Sequence, residues 1–168
     1  MPGWLIINMT ETAQFGRFPP LVVEGVVLPE LDKWRKSMFI RIPTKDFNIP
    51  PFPAQMWEDL LDAIERLASE REDRLNVMFC CVGGHGRTGM GLSIMAGLTI
   101  AQDEDPITFV RERYCQEAVE NMRQAKYVCS VTGCFTYLGE KDFKKTAGYS
   151  TSKVNYTSSF SGNKGQTK

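Results

Sequence analysis

Cys81-Val82-Gly83-Gly84-His85-Gly86-Arg87-Thr88-Gly89 is the stretch of this 168-residue chain whose reading decides its fold. It sets a cysteine and an arginine six positions apart across a run that holds three glycines. An apolar run at 75–80 leads in, and a glycine-punctuated apolar stretch at 90–100 follows. This pattern predicts a strand, a tight loop and then a buried helix over 88–100. A short, nearly all-apolar strand of this kind is expected at the centre of a parallel sheet.

The glycines let successive backbone N–H groups turn toward one point and form an anion nest. The following helix presents its positive end to the same point. A tetrahedral oxyanion can sit there, held by the amides of Val82, Gly83, Gly84, His85, Gly86 and Arg87. So can the sulfur of Cys81. Thiols at helix N-termini near a cation ionise readily, so Cys81 is predicted to be a nucleophilic thiolate. The planar fork of Arg87 can grip two phosphoryl oxygens at once. Thr88 can donate its hydroxyl to the sulfur. His85, the single histidine, is expected at the pocket rim. There it is either a neutral loop residue or a substrate contact that strengthens on protonation. A Walker-type nucleotide loop is excluded, because no Gly-Lys-[Ser/Thr] follows the glycines.

The spacing C-x5-R-[S/T] over 81–88 resembles the signature of the cysteine-dependent protein tyrosine phosphatase superfamily. The fuller form C-x-x-G-x-G-R-T-G is similar to its dual-specificity branch, atypical members included. Residues 39–50, with Asp46 and Pro50 in the pattern D-x-x-x-P, resemble the strand and loop that carry the family's general acid. Residues 118–128 resemble the helix start that carries its water-positioning glutamine, here Gln124, with Asn121 and Arg123 nearby. The three motifs stand in family order. One departure is Cys80, which occupies the position where the family usually has a histidine.

The resemblance implies an α/β fold, protein tyrosine phosphatase-like, with a central, mainly parallel sheet flanked by helices. It implies phosphomonoester hydrolysis with no cofactor and no metal. Cys81 would attack phosphorus and form a thiophosphate, with Arg87 and the loop amides holding the equatorial oxygens. Asp46 would protonate the leaving oxygen and then deprotonate a water positioned by Gln124. The substrate implied first is a protein carrying phosphotyrosine, with phosphoserine and phosphothreonine beside it. The alternatives are the same chemistry on an inositol phospholipid or an RNA 5′ end, and a phosphate-binding module without turnover.

Composition fits an ordinary globular protein, 42% hydrophobic and 24% charged, of single-domain length. A formal net charge of zero provides no bulk field for nucleic acid, which is not an expected partner. No apolar stretch is long enough to span a membrane, and the N-terminus lacks a signal-peptide pattern. The five cysteines, at 80, 81, 115, 129 and 134, are odd in number and exclude a complete disulfide framework. Without a C-x2-C pair and with one histidine, a zinc site is not expected. A reducing, cytoplasmic setting suits a working thiolate. Under oxidation, a disulfide from Cys81 to another cysteine is favoured over a strained vicinal bond to Cys80. The oligomeric state is left open.

Outward from the loop, residues 4–8 and 21–28 read as short extended segments. Residues 37–43 read as a strand with Met38, Ile40 and Ile42 on one side, followed by a proline-rich loop over 44–52. Residues 54–71 form an amphipathic helix with Trp57, Leu60, Leu61, Ile64 and Leu67 on its apolar face. Asp59 and Asp62 lie on its polar face, which leaves Asp46 as the carboxylate of its loop. Asp105-Pro106 reads as a helix start, aspartate as cap and proline in the first turn, running to 112 or 116. A last helix is expected from about 120 to 131. The catalytic domain is expected over 1–139. From 140 to 168, six lysines face two acids among Ser, Thr, Gly and Asn, which reads as a flexible tail. Such a tail can steer an anion, dock a partner or simply be solvated.

Overall fold

The structure is a computed structural model that describes residues 3–11 and 37–143. Three strands are described, β1 (Gly3–Asn8), β2 (Ser37–Arg41) and β3 (Leu75–Cys80). They form one sheet in the order β2-β1-β3, parallel throughout. In register, Ile7 stands opposite Ile40 and Phe79, and Asn8 opposite Arg41 and Cys80. The carboxyl ends of β2 and β3 are therefore level. The loops that leave them open on the same edge of the sheet, where parallel sheets place ligands.

The apolar 75–80 run predicts a central strand, but among the described strands β1 holds the middle. Leu5, Ile6 and Ile7 of β1 are buried, whereas Met78 of β3 is 37% exposed. Apolarity reports that the faces of a strand are covered; it does not report how many strands pair with it. The expected extended segment at 21–28 lies outside the described residues.

Four helices follow the predicted order: α1 (Gln55–Ser69), α2 (Gly86–Leu98), α3 (Pro106–Arg113) and α4 (Met122–Thr132). α1 buries Trp57 and Leu60, as its spacing requires. The Trp57 indole N–H donates to the Tyr127 hydroxyl at 2.9 Å, joining α1 to α4. α2 is buried nearly all round, including Met90, Ser93 and Ile94. It begins at Gly86, two residues before the expected Thr88, so Arg87 belongs to its first turn. α3 starts as the sequence predicts, with Asp105 Oδ1 accepting from Ile107 and Thr108 N–H. α4 is capped by Asn121 Oδ1, which accepts from Gln124 N–H, and ends at Gly133 with φ 72°.

The core joins Leu5, Ile7 and Ile42 at the sheet to Trp57, Met90, Ile94 and Val128 on the helices. Phe143 belongs to it as well, with the Arg111 guanidinium 5.0 Å from its ring centre. Packed structure therefore continues through the 3-10 turn Glu140–Asp142, past residue 139 where the polar segment is expected to begin. The rest of that segment, 144–168, lies outside the described residues. No helix among the described residues is long and apolar enough to cross a membrane.

Candidate active site

The Cys81–Gly89 stretch forms the turn between β3 and α2. Gly84 takes φ +76°, the left-handed region where a side chain is strained, and this turns the loop. Its N–H donates to Cys81 Sγ at 3.3 Å, and the Thr88 hydroxyl donates to the same sulfur at 3.0 Å. Two donors thus converge on the sulfur, beside the N-terminal end of α2. α2 has no acid in its own first turn.

Arg87 is 2% exposed. Its Nη1 donates to the carbonyl of Thr44 at 3.1 Å, and its Nη2 pairs with Asp46 Oδ1 at 3.1 Å. The proline-rich loop after β2 is thereby brought onto the Cys81 loop, and Asp46 stands half-exposed at its mouth. Phe47, the next residue, takes φ 55°, and its carbonyl accepts from Asn121 Nδ2 at 2.9 Å. Gln124 is fully buried. Its Oε1 accepts from Glu120 N–H at 2.9 Å, and its Nε2 donates to the Asn48 carbonyl at 3.3 Å. Cys81, Arg87 and Thr88 of one turn, with Asp46 and Gln124 from distant segments, come together at one edge of the sheet.

His85 is turned toward the segment after α3. Its Nδ1 lies 3.2 Å from Cys115 Sγ, and its Nε2 lies 3.9 Å from a Glu117 carboxylate oxygen. Val82 is 42% exposed on the outer side of the loop. Cys80 faces inward. Burial first, and the neighbouring Cys81 second, push its thiol up to about 11. All five cysteines are free thiols.

Four residues at the site were not singled out from the sequence. Tyr114 donates its hydroxyl to the Gly84 carbonyl at 2.7 Å. Burial, then Cys81 and Cys115, push this phenol above its ordinary value, so it stays a donor. Thr44 supplies the carbonyl that Arg87 grips, and Cys115 meets His85. Glu120 lies against Gly86, where a Cβ would collide with its carboxylate. None of these contacts leaves a local pattern, because each joins segments distant in the chain. Thr44 and Glu120 fall inside segments that the sequence had marked, without being singled out there.

No family model matches the chain. Over 87 residues it is 38% identical to MJ0215 and MJECL20, two uncharacterized proteins of Methanocaldococcus jannaschii. The match covers 52% of this chain, 50% of the first protein and 54% of the second. The chain thus spans about half the length of the curated relatives it matches. Among solved structures it is similar to Tk-PTP in its active form, with a TM-score of 0.55 at 19% identity over 77% of this chain and 78% of the other. A glycine-to-alanine mutant form of Tk-PTP matches at TM-score 0.54 and 18% identity, over 77% and 76% of the two chains. The fold is that of the protein tyrosine phosphatase class, a parallel sheet flanked by helices.

Proposed function

We propose that the protein is a phosphomonoester hydrolase of the cysteine-dependent type, acting on phosphotyrosine in proteins. The observation that carries this reading is a sulfur held by two converging donors, beside a buried arginine whose fork pairs with Asp46 on the loop after β2. Cys81 attacks phosphorus in line, and the aryl oxide leaves with a proton from Asp46. Arg87 and the amides of 82–87 hold the equatorial oxygens as charge develops on them. Thr88 stabilises the sulfur as it departs from phosphorus, and Gln124 governs the water of the second step.

The preference for an aryl ester is supported by what surrounds the loop. Phe47, Val82 and Tyr114 are exposed at 36%, 42% and 50%. These apolar side chains suit a phenyl ring better than a polyanionic headgroup or an RNA end. Membership of the dual-specificity branch, with activity on phosphoserine and phosphothreonine, and a cytoplasmic location are part of the same proposal. A reducing compartment fits its free thiols.

The test is phosphate release from a small aryl phosphate without added metal, native chain against Cys81→Ser. Activity in the native chain and none in the variant is the expected result. Equal activity in both rules the thiolate out. Binding of phosphate without release in either chain favours the binding-module alternative.

A further inference from the structure

We propose that Tyr114, at the end of α3, is a positioning residue for the Cys81 loop: its hydroxyl holds the 84–85 peptide so that the His85 N–H stays turned to a bound oxyanion. The proposal rests on the thiolate reading above and deepens it.

A trans peptide unit is planar, and its carbonyl and N–H point opposite ways. An anion nest therefore needs the carbonyls of its loop turned away from the anion. A single peptide turned over replaces a donor by a carbonyl oxygen and repels the ligand. Three successive peptides of this loop are held in three ways. The 83–84 peptide has its N–H on Cys81 Sγ at 3.3 Å. The 85–86 peptide is held by α2, because the His85 carbonyl accepts from Gly89 N–H at 2.8 Å, and also by Val119 N–H at 3.4 Å. The 84–85 peptide lies between them. Its carbonyl precedes His85, the N-cap of α2, so the helix ladder starts one residue too late to hold it. Glycine at 84, with φ +76°, imposes little on it either. The Tyr114 hydroxyl donates to this carbonyl at 2.7 Å.

The hydroxyl hangs from a packed helix. Tyr114 closes α3, its N–H donating to the Val110 carbonyl at 2.8 Å. The helix is anchored by its Asp105 cap and by buried Ile107 and Val110. The hydroxyl oxygen lies 3.1 Å from where a Cβ on Gly84 would stand, so a side chain there would press on this bond. Cys115, the next residue, meets His85 Nδ1 at 3.2 Å. Two successive residues of one segment thus hold two successive residues of the loop. The phenol is pushed above its ordinary value by burial first, then by Cys81 and Cys115, so it keeps its proton and remains a donor. Tyr114 acts on the oxyanion through this peptide.

The test is Tyr114→Phe, which keeps the ring and removes the hydroxyl, titrated with inorganic phosphate by calorimetry and assayed on a small aryl phosphate. The expected result is a phosphate Kd about tenfold higher than native, with kcat/KM lower by a similar factor. The His85 amide resonance, which phosphate should shift in the native chain, should respond less in the variant. Titration stoichiometry counts folded sites, so a folding defect lowers the stoichiometry, whereas loss of the hydroxyl raises Kd. Tyr114→Leu should weaken phosphate binding at least as much. Native Kd and a native His85 response in Tyr114→Phe overturn the proposal, and do so also if Tyr114→Leu is impaired, since the ring and not the hydroxyl then acts. In that case native turnover that Cys81→Ser abolishes leaves the thiolate reading intact. A native chain that neither binds phosphate nor releases it overturns both.

Discussion

Cys80 and Cys81 are adjacent residues with opposite surroundings. Cys80 ends β3 partly buried, whereas Cys81 begins the loop, beside Gly84 N–H and the Thr88 hydroxyl. Cys80 holds its proton to about 11 in the fold, against 9.0 for an ordinary thiol. The folded state therefore binds more protons than the unfolded state between those values, and this group's contribution to stability is lost as pH rises through the window. Burial of Tyr114 and Cys129 shifts both groups upward and adds in the same direction. Denaturant midpoints measured from pH 8 to 11 should decline, and the decline should be shallower in Cys80→Ala. An equal slope in both chains means that Cys80 ionises freely in the fold. At neutral pH the protonated Cys80 is not a competing nucleophile.

Helices show what was legible in the sequence and what was not. Asp105-Pro106 announces a helix start because capping is local chemistry, and the structure has it; the Asn121 cap of α4 was not read from the sequence. Asp105 does more than its position foretells. Its Oδ2 also accepts from the hydroxyls of Thr108 and Thr136 and from Tyr137 N–H, which pins the strap after α4 to the start of α3. Asp105→Ala should cost about 2–4 kcal/mol, a lost cap plus donors left without a partner. Chemical denaturation measures this, while turnover per folded molecule should hold, since the site lies at the other end of α2. A cost below about 0.5 kcal/mol contradicts the account. The Cys81 loop was readable for the same local reason: glycines, a nucleophile and an arginine at fixed spacing. The middle position of β1, the Tyr114 bond and the approach of Glu120 were not readable. They depend on which distant segments meet, and the apolar pattern of β3 is the same for a central or an outer strand.

At the scale of the molecule, Arg111 is the junction. From α3 it holds the carbonyls of Ala118 and Val119, donates to the Asp142 carbonyl at 3.2 Å, and covers Phe143. Burial pulls its guanidinium below the ordinary arginine value, and Asp142 is the first of the charges that oppose this. One side chain thus joins the last described residues to the segment that carries Glu120. Arg111→Lys keeps the charge and loses the fork, so stability should fall by about 2–3 kcal/mol. Chemical denaturation measures this, and a native midpoint in the variant overturns the role of the junction.

The all-parallel sheet also dictates how the chain must fold. Of the described strands, β1 is made first and sits in the middle, yet Gly3 must find Leu75, with β2 and α1 lying between them in sequence. Among these three strands no hairpin joins neighbours, so they pair through long-range closures that cost entropy before they return contact energy. Folding should therefore be slow for a chain of this length, with the apolar Leu5-Ile6-Ile7 run of β1 open to other chains until both partners arrive. On the ribosome, β1 must wait until β3 has emerged, and only then does the edge on which Cys81 sits exist.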